Sequence, residues 1–189
     1  ALHIQPCVIA MSGAALALVL CSVNVDHALE KIEWGTLFFF LGLFIIVEGA
    51  DHAGLMAQVG SLLTFTEGWP PLLIILAVMW FSGLAVAVMN NVSFTAVTVT
   101  ILANFLAHAT VFKGNVELQR LMWWGVALAV CLGGNFTIVG AAANLVTAGV
   151  AEQAGHPISF KTFMAYGVPV TLCSLVLSSV YVAIRYAFL

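Results

Sequence analysis

Two short polar clusters interrupt long apolar runs in this sequence. The first is Asn90-Asn91 with Ser93 and Thr95 behind it. The second is Gly133-Gly134-Asn135-Phe136-Thr137, followed by Gly140 and Asn144. Both combine neutral amides and hydroxyls with residues that break helices. A helix interrupted at membrane depth exposes free backbone groups. Its half-helix N-termini carry partial positive charge and its unwound carbonyls are negative. Together such groups can hold an anion and coordinate a cation such as Na⁺, and secondary transporters build midplane sites this way. A lone glycine pair is more often a packing feature, and a lone Asn an interhelical hydrogen-bond partner. Two clusters, each with Asn beside a hydroxyl residue, favour one shared site.

Other chemically capable residues stand apart from these clusters. Glu48 is an intramembrane carboxylate suited to proton coupling, or a helix-end residue reaching the interface. Asp51 and His52 are expected to face water. His108 closes a helix, where a cation favours the dipole, and its near-neutral titration would suit a gate. The sequence contains no GxSxG, HExxH or Walker motif and no acid pair in a plausible cleft, so no enzyme is expected.

Composition sets the class. The chain has 189 residues, of which 7% are charged and 63% hydrophobic, with a mean hydropathy of +1.14. A soluble domain carries about 25% charge. Five Lys+Arg and eight Asp+Glu are too few to cover a soluble fold this large. An integral membrane protein is expected. A formal net charge of −3 offers nucleic acid no basic face. The four cysteines, Cys7, Cys21, Cys131 and Cys173, lie in apolar runs without a CxxC pair and read as small fillers. No cleavable signal peptide is read, and a chain opening on Ala1 looks like part of a longer protein.

A spanning helix takes about 20 residues. The apolar runs predict one over 4–23, a charged turn over Asn24–Glu33, and a second helix over 34–50 led by Trp34. Leu55–Phe65 reads as an interfacial connector. Trp69-Pro70-Pro71 starts the next run, over 72–107, which Asn90-Asn91 divides. Uncompensated amides in hydrocarbon cost several kcal/mol each. Either two full helices meet in water, or a re-entrant hairpin buries its tip in protein. The hydroxyls at Ser93, Thr95, Thr98 and Thr100 favour the buried tip. A polar loop over Thr110–Arg120, a broken helix over 121–151, a loop over Glu152–Lys161 and a last helix over 162–187 complete the chain. With a re-entrant hairpin, Lys31 and Lys161 lie on one side, and Lys113, Arg120 and Arg185 on the other. That split leaves the orientation open.

Met89-Asn90-Asn91-Val92-Ser93-Phe94-Thr95-Ala96 resembles the hairpin-tip motif of the arsenite-efflux, sodium–proton antiporter and melanosomal P-protein family. That family belongs to the ion transporter superfamily, beside the sodium-coupled dicarboxylate and citrate carriers. Leu132 to Asn144, LGGNFTIVGAAAN, resembles its broken-helix motif. Ile32 to Phe39 is similar to the start of the preceding core helix. Ala154 to Phe160, leading into Tyr166-Gly167-Val168-Pro169, is similar to the approach to the last helix. The resemblance implies two inverted repeats, each of five spanning helices, one of them broken, plus a re-entrant hairpin. This chain resembles the second repeat without its first helix. Four crossings are counted here, and the missing one supplies the odd number that inversion requires. The family's tip commonly reads Asp-Asn, and here Asn90 keeps the shape without the charge. That leaves proton antiport in doubt and favours neutral-amide coordination of a cation, or an anion substrate.

The expectation is therefore an all-α integral membrane protein, an incomplete half of an inverted-repeat secondary transporter working by alternating access. A small anion such as arsenite leads, then Na⁺/H⁺ exchange, then a sodium-coupled citrate or dicarboxylate carrier. A non-transporting membrane scaffold is the other class. Asn90, Asn91, Ser93, Thr95, Asn135, Thr137 and Asn144 are the expected ligands. Gly133, Gly134 and Gly140 are expected to let backbone approach the ion. Na⁺, where used, is expected at Asn91 and Asn135, and Glu48 is the candidate for proton coupling. No cofactor beyond Na⁺ or H⁺ is expected. The expected partners are the bilayer of a bacterial inner membrane, the N-terminal half of the transporter, a small ion and a second copy in a homodimer.

Overall fold

The structure, a computed structural model, describes residues 5–21, 24–30, 32, 34–55, 58, 66 and 68–189. Among these residues every regular element is helical: α1 (Pro6–Leu20), α2 (Val25–Glu30), α3 (Trp34–His52), α4 (Pro71–Val86), α5 (Asn91–His108), α6 (Val116–Gly133), a 3₁₀ turn (Gly134–Phe136), α7 (Ala142–Gln153) and α8 (Phe160–Ala187). Three are long and apolar enough to cross a membrane: α5, α6 continued to Phe136, and α8. The chain is an all-α integral membrane protein. It divides into two units, Ala1–Gly42 and Leu43–Leu189.

The first unit holds α1, α2 and the start of α3. Pro6 opens α1 with the fixed φ of a first helical position. The expected turn at Asn24–Glu33 is instead partly helical. The Asn24 Oδ1 accepts from the backbone N–H groups of Asp26 (2.9 Å) and His27 (3.3 Å), and that cap nucleates α2. Lys31 and Glu33 lie outside the described residues, as does most of the connector expected over Leu55–Phe65.

In the second unit, helix ends follow the caps. Pro70 and Pro71 start α4. Asn115 Oδ1 accepts from the Leu118 N–H at 3.1 Å, so α6 begins at Val116, inside the stretch expected to be a polar loop. Glu117 and Arg120, three residues apart, pair on that first turn. Ser159 caps α8 through the Thr162 N–H (3.1 Å), and the helix starts at Phe160, two residues before the expected start. Helix α3 runs past the expected end at residue 50, to His52, where His52 Nε2 meets Glu48 Oε1 at 3.2 Å.

The core of this unit joins α4, α6 and α8, with α5 against α6. Ile75, Met79 and Val86 of α4, Met122 and Ala129 of α6, and Leu175 and Val182 of α8 are almost wholly buried. Phe112, also buried, closes the core with its ring edge on Phe105, centroids 5.8 Å apart. Outward faces carry large apolar side chains instead of charge; Phe81 is 70% and Leu177 69% exposed. Helices apolar on every side suit hydrocarbon rather than water. Small residues let the three backbones close up. A Cβ at Gly125 would lie 3.3 Å from Ile75 Cγ2 and 3.9 Å from Val182 Cγ2, while one at Gly167 would meet the carbonyl of Asn135, just past α6; the later residue of one helix faces the earlier residue of the other, so α6 and α8 run antiparallel.

Candidate functional site

Four helix ends meet where the hairpin turn touches the broken helix. Helix α4 ends at Val86 and α5 starts at Asn91; α6 ends at Gly133 and α7 starts at Ala142. The turn and the break are joined by two hydrogen bonds. The Asn91 N–H donates to the Gly140 carbonyl at 3.0 Å. The Thr137 hydroxyl donates to the Ala87 carbonyl at 2.6 Å. Two positive ends (α5, α7) and two negative ends (α4, α6) therefore converge on one place. No Asp, Glu, Lys, Arg or His lies in residues 87–95 or 133–144, so these two segments themselves offer dipoles and no charged side chain.

The depth of this junction follows from the helix rise. From Leu121, the first apolar residue after Arg120, to Gly133 is about 18 Å of helix, well short of a hydrocarbon core of about 30 Å. Helix α7 adds 12 residues beyond the break. Helix α8 passes the same level at Gly167: a Cβ there would lie 2.5 Å from the Asn135 carbonyl oxygen and 3.3 Å from that of Phe136. From Gly167 back to Phe160 leaves roughly 10 Å of α8 beyond the junction. By length alone α5 could cross a membrane. Its first residue, Asn91, is bonded to the Gly140 carbonyl, which seats the turn between α4 and α5 on the break after α6.

The expected site residues divide by what their side chains do. Asn90 caps α5, its Oδ1 accepting from the Val92 N–H at 3.0 Å. The Thr95 hydroxyl bonds back to the Asn91 carbonyl at 2.6 Å. Asn144 staples the break, its Nδ2 donating to the carbonyls of Gly134 (2.9 Å) and Thr137 (3.1 Å). Thr137, as above, holds the hairpin. The side chains of Asn91, Ser93 and Asn135 make no hydrogen bond to another described residue; Asn91 and Ser93 are half-buried and Asn135 is exposed. These last three side chains have their whole bonding capacity free, while Asn90 keeps its Nδ2 donors, Asn144 its Oδ1 acceptor and Thr95 and Thr137 their oxygen lone pairs. Glu48, with its His52 partner, lies on α3; its side chain is 72% exposed.

The glycines act by size. Gly133 and Gly134 keep helical angles, φ −59° and −57°, and unwinding begins only at Thr137, φ −131° and ψ 159°. The backbone thus leaves the helix after the glycine pair, later than the pair itself suggests. A Cβ on Gly133 would strike the carbonyl oxygen of Gly83 and sit 2.8 Å from its Cα. One on Gly140 would sit 2.5 Å from the Gly134 carbonyl oxygen. In this structure these glycines bring backbone against backbone, which is what shapes the break. Gly83 and Gly167 belong to the same contact set and were not singled out from sequence. The signal was there, in small residues recurring on α4 and α8, but small residues are common in membrane helices.

Residues 1–125 match the citrate transporter family. An uncharacterized transporter of Mycobacterium tuberculosis is 35% identical over 185 residues, which is 98% of this chain and 42% of that protein. An uncharacterized transporter of Synechocystis is 31% identical over 194 residues, 95% of this chain and 43% of that protein. The P protein of Mus musculus is 32% identical over 191 residues, 98% of this chain and 22% of that protein. The chain thus spans less than half the length of these relatives.

Proposed function

The chain belongs to the citrate transporter family, within the ion transporter superfamily, and from that premise we propose that it forms one half of the ion site of a secondary active transporter. The observation that carries this reading is the junction of hairpin turn and broken helix, held by Asn91 N–H to Gly140 and Thr137 to Ala87. A small anion sits against the N-terminal ends of α5 and α7, with the amides of Asn91 and Asn135 turned to it. The substrate class is a small carboxylate anion of the citrate kind. This ordering rests on the family's description and places arsenite-like oxyanions second. A cation, Na⁺, takes the carbonyl oxygens at the C-terminal ends of α4 and α6 together with the amide oxygens. The absence of any titratable side chain in residues 87–95 and 133–144 favours Na⁺ over H⁺ as the coupling ion on this half. Any proton-coupled step would fall to Glu48 or to residues outside this chain.

In this mechanism the junction moves as one piece. The two hydrogen bonds between turn and break couple the hairpin to the broken helix, so both shift together against the remaining helices when access alternates. The protein works in a cell membrane, with the rest of the transporter supplying the opposite half of the site. Reconstituting the full-length protein in proteoliposomes tests the proposal. Uptake of citrate driven by an inward Na⁺ gradient supports it. Uptake of arsenite, or Na⁺ exchange for H⁺, would replace the substrate assignment. Absence of flux for all three from folded protein would favour a scaffold role.

A further inference from the structure

A second polar feature lies at the opposite end of the helix pair α6 and α8, away from the junction. Because the two helices run antiparallel, the first turn of α6 meets the last turns of α8. A groove there is lined by Glu117, Arg120 and Trp124 of α6, by Tyr181 and Arg185 of α8, and by Leu189 behind it. Spacing explains the lining. Residues 117, 120, 121 and 124 follow one face of α6, and 181 and 185 lie one turn apart on α8.

The charges in the groove are unbalanced. Glu117 pairs with Arg120 at 2.6 Å. Arg185 has no carboxylate within 4.0 Å among the described residues. Among its side chains the groove thus sets two guanidinium groups against one carboxylate. The neutral part of the lining is aromatic and aliphatic: Trp124 is 58%, Tyr181 49% and Leu189 53% exposed. Trp and Tyr at a helix end mark the headgroup level of a membrane. Arginine presents a planar fork that fits phosphate oxygens. Basic pockets between membrane helices hold lipid headgroups.

We propose that this groove binds an anionic phospholipid, the phosphodiester on Arg185 and Arg120 and the glycerol and upper acyl chain on Trp124, Tyr181 and Leu189. The apolar share of the lining selects a lipid over free phosphate, since a free anion would leave the two aromatic rings uncovered. The site is independent of which ion the transporter moves.

Native mass spectrometry of the full-length protein in neutral detergent tests the site, with phosphatidylglycerol and phosphatidylcholine as probes. Phosphatidylglycerol binds more tightly than phosphatidylcholine. Each guanidinium contributes about fivefold, so the double variant Arg120→Gln and Arg185→Gln brings the two lipids level. Glu117→Gln releases Arg120 and tightens phosphatidylglycerol binding, a gain that misfolding cannot imitate. The double lysine variant, Arg120→Lys and Arg185→Lys, keeps the charge without the fork and falls between. Equal binding of the two lipids by the parent overturns the proposal, as does a Glu117→Gln variant with unchanged affinity. Displacement of phosphatidylglycerol by millimolar inorganic phosphate overturns the lipid assignment in favour of a free anion. Failure of either lipid to bind the parent shows the groove covered by another part of the protein, and also overturns it.

Discussion

Replacing Gly133 with Ala is the sharpest test of how the junction is built. The added Cβ meets the Gly83 carbonyl oxygen, with Gly83 Cα at 2.8 Å and its carbonyl carbon at 2.9 Å. Carbon atoms rest comfortably about 3.5–4.0 Å apart, so α4 and α6 must separate by roughly 1 Å. Both obstructing groups are backbone, and no side-chain rotation relieves them. Overpacking of this kind costs about 1–3 kcal/mol. The same separation stretches the Thr137–Ala87 and Asn91–Gly140 hydrogen bonds, 2.6 and 3.0 Å in the native arrangement, each worth about 1 kcal/mol. A total loss of about 2–4 kcal/mol is expected. Denaturant unfolding of the full-length protein in micelles, followed by tryptophan fluorescence, measures it. Gly125→Ala is the reference. Its Cβ comes closer than 3.4 Å to one atom, Ile75 Cγ2 at 3.3 Å, with Met79 Sδ and Val182 Cγ2 in ordinary contact at 3.9 Å, so a shift of a few tenths of an ångström accommodates it at about 1 kcal/mol. Equal stability of the two variants would refute the backbone-contact argument.

Three further outcomes are expected. Asn144→Ala removes two hydrogen bonds that close the break and should cost about 1–3 kcal/mol in the same unfolding assay; Asn144→Asp, which lacks the donor, should cost no less than Asn144→Ala. Asn90→Asp keeps the cap, since Asp and Asn serve equally there, so stability holds while a titratable group enters the tip; transport gains a pH dependence beyond the parent's, and an unchanged flux-versus-pH profile would count against a site at the tip. Ser82→Ala and Thr171→Val each remove a buried hydroxyl without a hydrogen-bond partner among the described residues, so thermal stability in detergent should hold or rise by about 1 kcal/mol; a fall of that size would mean the hydroxyl has a partner such as a buried water.

The fold class and the two polar breaks could be read from sequence because hydrocarbon penalises every unpaired polar group. An Asn pair or a Gly-Gly-Asn run inside an apolar stretch therefore stands out. That these breaks touch was less legible. The contact depends on Thr137 reaching the Ala87 carbonyl, 50 residues away, and no local pattern encodes it. The roles of the site residues were legible only in part. Asn90 and Asn144 have the residue type of ligands, and their side chains also cap and staple the backbone; the type alone does not reveal that second use. Helix ends shifted where a cap was overlooked, as at Asn115 and Ser159. Gly83 and Gly167 were missed because a glycine needed for space carries no mark distinguishing it from one that is not, as Gly149 on α7 illustrates, with nothing within 4 Å of its Cβ position.

The central claim is that the junction carries half of an ion site, with the free amides of Asn91 and Asn135 facing the ion. Gradient-driven flux by the full-length protein in proteoliposomes, compared between the parent and Asn135→Ala, tests it most directly. The expected result is loss of flux with membrane insertion and melting behaviour unchanged, because this side chain holds nothing else in place. Flux near the parent's level from Asn135→Ala would contradict the claim and return the breaks to packing.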